Sequence, residues 1–80
     1  MSKAQKLLAA METNPRDWQI EQVETVAQAF GLTVRRPGGS HCIVRHPNGR
    51  KVSVPAHRPI KPIYIRQFVR LVKHGTGDEE

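Results

Sequence analysis

Residues 38–55, GGSHCIVRHPNGRKVSVP, contain two histidines and a run of positive side chains but no acid. His41 directly follows Gly38-Gly39-Ser40, where small residues let the backbone approach a ligand closely. An imidazole placed there can take a proton from a ribose 2′-hydroxyl and so start attack on the adjacent phosphate. Cations expected beside it on the same face, Arg45 and Lys51, would hold that phosphate and stabilise its developing charge. On spacing alone, a single histidine is more often a surface residue bonded to the neighbouring turn.

Other chemistries fit the same residues less well. His41 and His46 are five apart, so along one strand they face opposite sides. No C-x-x-C or H-x₃-H spacing occurs and acids are absent nearby, so no metal site and no cofactor is expected. Cys42 reads as a buried strand residue rather than a nucleophile. Gly38-Gly39 lacks the lysine and following helix of a phosphate-binding loop. His46 and His57 suit the turn and the strand end, and His74 the C-terminus of the last helix. Trp18 reads as a packing residue. Tyr64 fits an RNA contact or the core equally.

The charge distribution narrows the partners. The 80-residue chain carries a net charge of +6, with one cysteine and hence no internal disulfide. Residues 1–34 and the tail GTGDEE hold all the acids, whereas residues 35–74 hold ten Lys/Arg and none. A positive field over half a domain points to a polyanion, most commonly nucleic acid. No apolar run has the form of a signal peptide or a membrane span, and a lone thiol fits a reducing compartment, so the expectation is a cytoplasmic protein.

The elements that must position His41 follow from pattern. Ser2 with Gln5 reads as a capping box for a helix over about Lys3 to Glu12, ending before Asn14-Pro15. Asp17 is expected to cap a second helix, with Val23, Val26, Ala27 and Phe30 on one face and Gly31 as its stop. Leu32–Arg35 reads as a short strand, followed by a Pro37-Gly38-Gly39 turn. In the hairpin, a two-residue Asn48-Gly49 loop would put Arg45 on the face of Val52 and mix charge with core. A three-residue Pro47-Asn48-Gly49 loop instead pairs Arg45 with Lys51, Val44 with Val52 and Ile43 with Ser53. Cys42, Val44, Val52 and Val54 then point inward; His41, Ile43, Arg45, Lys51 and Ser53 point outward. Pro62 opens a last helix with Ile65, Phe68, Val69 and Val72 buried and Arg66, Gln67, Arg70 and Lys73 exposed. The expectation is an α+β fold of order α-α-β-β-β-α, a three-stranded antiparallel sheet with helices on one face. It forms one domain over residues 1–74, with a disordered acidic tail at 75–80.

GSH at 39–41, the apolar strand after it, HPNGR at 46–50, VSVPAH at 52–57 and Lys61-Pro62 together resemble the HicA family, the toxins of HicAB type II toxin–antitoxin systems. The resemblance spans roughly residues 18–73. It implies a fold like the double-stranded-RNA-binding domain, ribonuclease activity on mRNA with His41 as the catalytic residue, and a HicB-type antitoxin as partner. Arg35, Ser40, Arg45, Lys51, Ser53 and Lys61 are then the candidate RNA contacts. The antitoxin is expected over the sheet face and last helix, pairing with Arg45, Lys51, Arg66 and Arg70. A non-catalytic RNA-binding module using the same basic face is the alternative from a different class, and a protein with an acidic interaction partner is a third.

Overall fold

A computed structural model describes residues 2–36, 41–56 and 59–76. The Pro37-Gly38-Gly39 turn, Ser40, His57 and the tail beyond Thr76 lie outside the described residues.

Helix α1 spans Lys3–Thr13. Ser2 Oγ accepts from the Gln5 amide at 3.2 Å and Gln5 Oε1 accepts from the Ser2 amide at 3.0 Å, so the expected capping box closes the first turn. Ala4, Leu8 and Met11 recur at helical spacing and are buried. Helix α2 spans Ile20–Ala29, and here the expectation needs correction. Asp17 is not the cap: it has φ +65°, and the helix starts from Gln19, whose amide donates to Gln22 Oε1 at 2.9 Å. The delay has a physical cause. The Trp18 carbonyl accepts from the Ile60 amide at 2.9 Å, which pins Trp18 in an isolated bridge and keeps it out of the helix. At the other end, Gly31 and Leu32 amides donate to the Gln28 and Ala27 carbonyls, closing a Schellman stop. Leu32 is buried there, while Phe30 stays 37% exposed instead of joining the core.

Strands β1 (Thr33–Arg35), β2 (His41–Arg45) and β3 (Lys51–Pro55) form an antiparallel sheet in that order. The β2–β3 register is the expected one: Val44 faces Val52, Ile43 faces Ser53 and Arg45 faces Lys51. The loop explains it. Gly49 donates to the His46 carbonyl at 2.9 Å, with Pro47 and Asn48 at the centre of the turn. Gly49 follows at φ +95°, the left-handed position of a bulged three-residue hairpin, which glycine reaches without strain. Asn48 Oδ1 also accepts from the Arg50 amide, and His46 Nδ1 from the Asn48 amide. His46 therefore serves the turn.

Helix α3 spans Pro62–His74, with Lys61 as N-cap and Pro62 in the first turn. Ile65, Phe68, Val69 and Leu71 are buried; Val72 is only partly so. These residues join Cys42, Val44, Val52 and Val54 from one face of the sheet, together with α1 and α2, in a single apolar cluster. The helices thus cover one face and leave the other open. The arrangement is α+β, order α-α-β-β-β-α, consistent with a double-stranded-RNA-binding-domain-like fold.

One tie joins the layers at the hairpin tip. Gly75 ends α3 in the left-handed conformation (φ +69°), its amide donating to the Leu71 carbonyl, and Asn48 Nδ2 donates to the Gly75 carbonyl at 2.9 Å. A Cβ at Gly75 would stand 2.6 Å from that same Nδ2, whereas a Cβ at Gly49 meets nothing within 4 Å. Both Gly→Ala changes impose a left-handed alanine, a cost of about 1–2 kcal/mol. Gly75→Ala also displaces Asn48 and loses its hydrogen bond, about 1 kcal/mol more. Urea unfolding should therefore rank Gly75→Ala as clearly more destabilising than Gly49→Ala.

Candidate nucleic-acid interface

The open face of the sheet is ordered by the pairing into cross-strand rows. His41 stands opposite Pro55 at one end. Ile43 lies in the middle, flanked by Arg35 on β1 and Ser53 on β3. Arg45 lies at the hairpin end, flanked by Thr33 and Lys51. His41, Arg35, Arg45, Lys51 and Thr33 are exposed, and Ile43 and Ser53 half-buried. A depression lined by Arg35, Ile43, Arg45 and Lys51 runs along this face.

The rows change one expectation. Arg45 and Lys51 are not neighbours of His41. Four residues along a strand separate His41 from Arg45, about 13 Å at 3.3–3.4 Å per residue. Arg35 is the cation that the register places diagonally next to His41, one row away. Sequence alternation correctly sorted these side chains by face, but it carries no measure of distance along that face. Thr33 joins the site only through the β1–β2 register, which no local motif announces.

The remaining candidates lie elsewhere. Lys61 is exposed but off the sheet, at the N-terminus of α3, beside Arg16, Asp17 and Ile60. Ser40 is outside the described residues. Tyr64 and Trp18 pack against the core, and Trp18 Nε1 donates to the Asn14 carbonyl at 2.7 Å. Arg66 and Arg70 line a groove between α1 and α3 with Met11, Val69, Lys73 and Glu12. They belong to the helical layer, on the side away from Arg45 and Lys51, so one flat partner surface does not reach both sets.

Ion pairing is similarly divided. Glu12 holds Lys73 through both carboxylate oxygens at 2.8 and 2.9 Å, tying α1 to α3. Glu24 on α2 holds Arg36, just past β1. Among the described residues no acid pairs with Arg35, Arg45 or Lys51. Among the described residues, too, no three His, Cys, Asp or Glu side chains group as a metal site. Cys42 is fully buried on the inner face, and burial pushes its thiol up from its ordinary range. Glu24 adds to the rise and Arg36 opposes it.

With this geometry in hand, comparison with known sequences identifies the chain. The sequence model of the family described as HicA toxin of bacterial toxin–antitoxin systems matches residues 20–74, more than half of the chain, and the chain belongs to that family. It is thus a toxin whose counterpart is an antitoxin. The match includes the whole sheet, α2 and α3, and leaves α1 outside. No curated protein and no solved structure matches in the corresponding searches. No helix among the described residues is long and apolar enough to cross a membrane.

Two outcomes follow from the site. Because Arg45 and Lys51 repel each other across a directly opposed pair, Lys51→Glu should raise stability to urea by about 0.2–1 kcal/mol. Cys42 should resist alkylation at neutral pH in the native protein and react once urea unfolds it, which mass spectrometry reads directly.

Proposed function

We propose that this toxin is an mRNA endoribonuclease in which His41 is the general base. The observation that carries the reading is the exposed imidazole on an open sheet face whose cations have no acidic partner among the described residues. In the reaction, His41 takes the proton of a ribose 2′-hydroxyl. The 2′-oxygen forms a bond to the adjacent phosphorus as the bond from phosphorus to the 5′-oxygen breaks. The electron pair leaves on that 5′-oxygen, which takes a proton from solvent. The products are a 2′,3′-cyclic phosphate and a 5′-hydroxyl. Positive charge on the same face offsets the negative charge that builds on the phosphoryl oxygens, a contribution of several kcal/mol when the donors are held in place beforehand. The substrate places the protein in the cytoplasm, and the partner that silences it is a HicB-type antitoxin.

The inward-facing half of the hairpin supports this assignment physically. Val44 and Val52 are fully buried and fix the backbone that carries the outward residues, so the imidazole is presented from a strand rather than from a loose loop. Positioning of that kind matters because a displacement of about 1 Å can cost a hundredfold in rate.

His41→Ala should abolish RNA cleavage and growth arrest on induction while leaving the fold and most RNA affinity intact. Cleavage by the wild type should survive EDTA and yield the cyclic phosphate. Cleavage by the alanine variant at the wild-type rate would show that His41 is not the catalyst, and wild-type protein that binds RNA without ever cutting it would be a binding module.

A further inference from the structure

The row spacing of the open face carries information beyond the identity of the base. Rows along β2 recur every two residues, about 6.7 Å. A nucleotide repeat has six backbone bonds against three in an amino-acid residue, so it extends roughly twice the 3.3–3.6 Å of a residue, about 7 Å. A single RNA strand lying along β2 therefore meets one row per phosphate. The last row is built for an anion. Arg45 and Lys51 are directly opposed, and His46 N–H donates to the Arg50 carbonyl in the adjacent pair. The 45–51 pair thus falls at a non-hydrogen-bonded position, where side chains stand closest and like charges oppose folding. No acid among the described residues offsets that repulsion. Two depressions also meet at Arg45: the one shared with Arg35, Ile43 and Lys51, and a second lined by Gly31, Thr33, His46, Pro47 and Gly49.

We propose that the open sheet face binds single-stranded RNA in a fixed register, with the cleaved phosphate in the His41 row and the phosphate two linkages away held by Arg45 and Lys51. The proposal rests on His41 being the base. Arg45 and Lys51 then form a remote subsite: they hold the strand but do not touch the reacting phosphate. In the middle row Arg35 and Ser53 flank the intervening phosphate, and the half-exposed Ile43 gives a ribose or base an apolar surface. The shortest fully bound substrate spans three successive phosphates.

The test uses short RNA oligonucleotides containing one cleavage site, with a neutral methylphosphonate placed at each other linkage in turn. At the linkage two positions from the cut on one side, neutralisation should raise KM about tenfold, the size of one charge-assisted contact, with kcat retained. In the Arg45→Gln/Lys51→Gln protein that same neutralisation should have no further effect, and the log–log salt slope should be shallower by about 0.7, one phosphate fewer. Coupling at the linkage next to the cut, a fall in kcat for the double variant, or coupling at no linkage overturns the register. Unaltered RNA kinetics with weakened antitoxin binding would give the pair to a protein partner and equally overturn it. His41→Ala separates the two ideas. If that variant still cuts, the base assignment fails; if it is inactive and the coupling is absent, only the register fails.

Discussion

Slipping β3 by one residue against β2 would move Lys51 and Ser53 toward the core and Val52 and Val54 toward water, because strand side chains alternate with a period of two. Burial of each valine is worth about 1.5–3 kcal/mol, and a small domain's whole margin is about 5–15 kcal/mol. Cys42, Val44, Val52 and Val54 are all fully buried, so the slipped hairpin is not a competitive state. The open face inherits its order from this constraint. Its cations stay in place because the residues behind them cannot leave the core, although the cations themselves repel one another.

The acids reinforce the same division. Glu12 and Glu24 engage Lys73 and Arg36, cations of the helical layer or its margin, and their positive charge is locally offset. Exposed pairs of this kind add little to stability. Their larger effect is to offset Lys73 and Arg36 locally, while among the described residues no acid pairs with Arg35, Arg45 or Lys51 on the sheet, and such unpaired positive charge can raise the encounter rate with a polyanion. Across the molecule, α1 builds one wall of a groove with Arg66 and Arg70, outside the residues that match the family.

Features set by neighbours in the chain were legible from sequence. The capping box at Ser2, the Pro47-Asn48-Gly49 loop and the sorting of His41, Cys42 and Val44 by face all depend on contacts within a few residues. What depended on distant contacts was not. The start of α2 shifted because Trp18 bridges to Ile60, which no local capping pattern reveals. Phe30 fits the apolar face of α2 by periodicity, yet it falls at the C-cap, where the chain turns away. The separation of His41 from Arg45 was implicit in a strand of five residues, but alternation alone says only that they share a side.

The bond between Asn48 and the Gly75 carbonyl has a topological consequence. It brings the end of α3 to the hairpin tip, beside His46, so Gly75 and Thr76 stand at the Arg45 end of the sheet and far from His41. A group attached by a short flexible link acts there at an effective concentration on the order of millimolar. A peptide or fluorophore joined directly after Thr76 would therefore sample one end of the face much more than the other, and the polarity of the surface is built into the route of the chain.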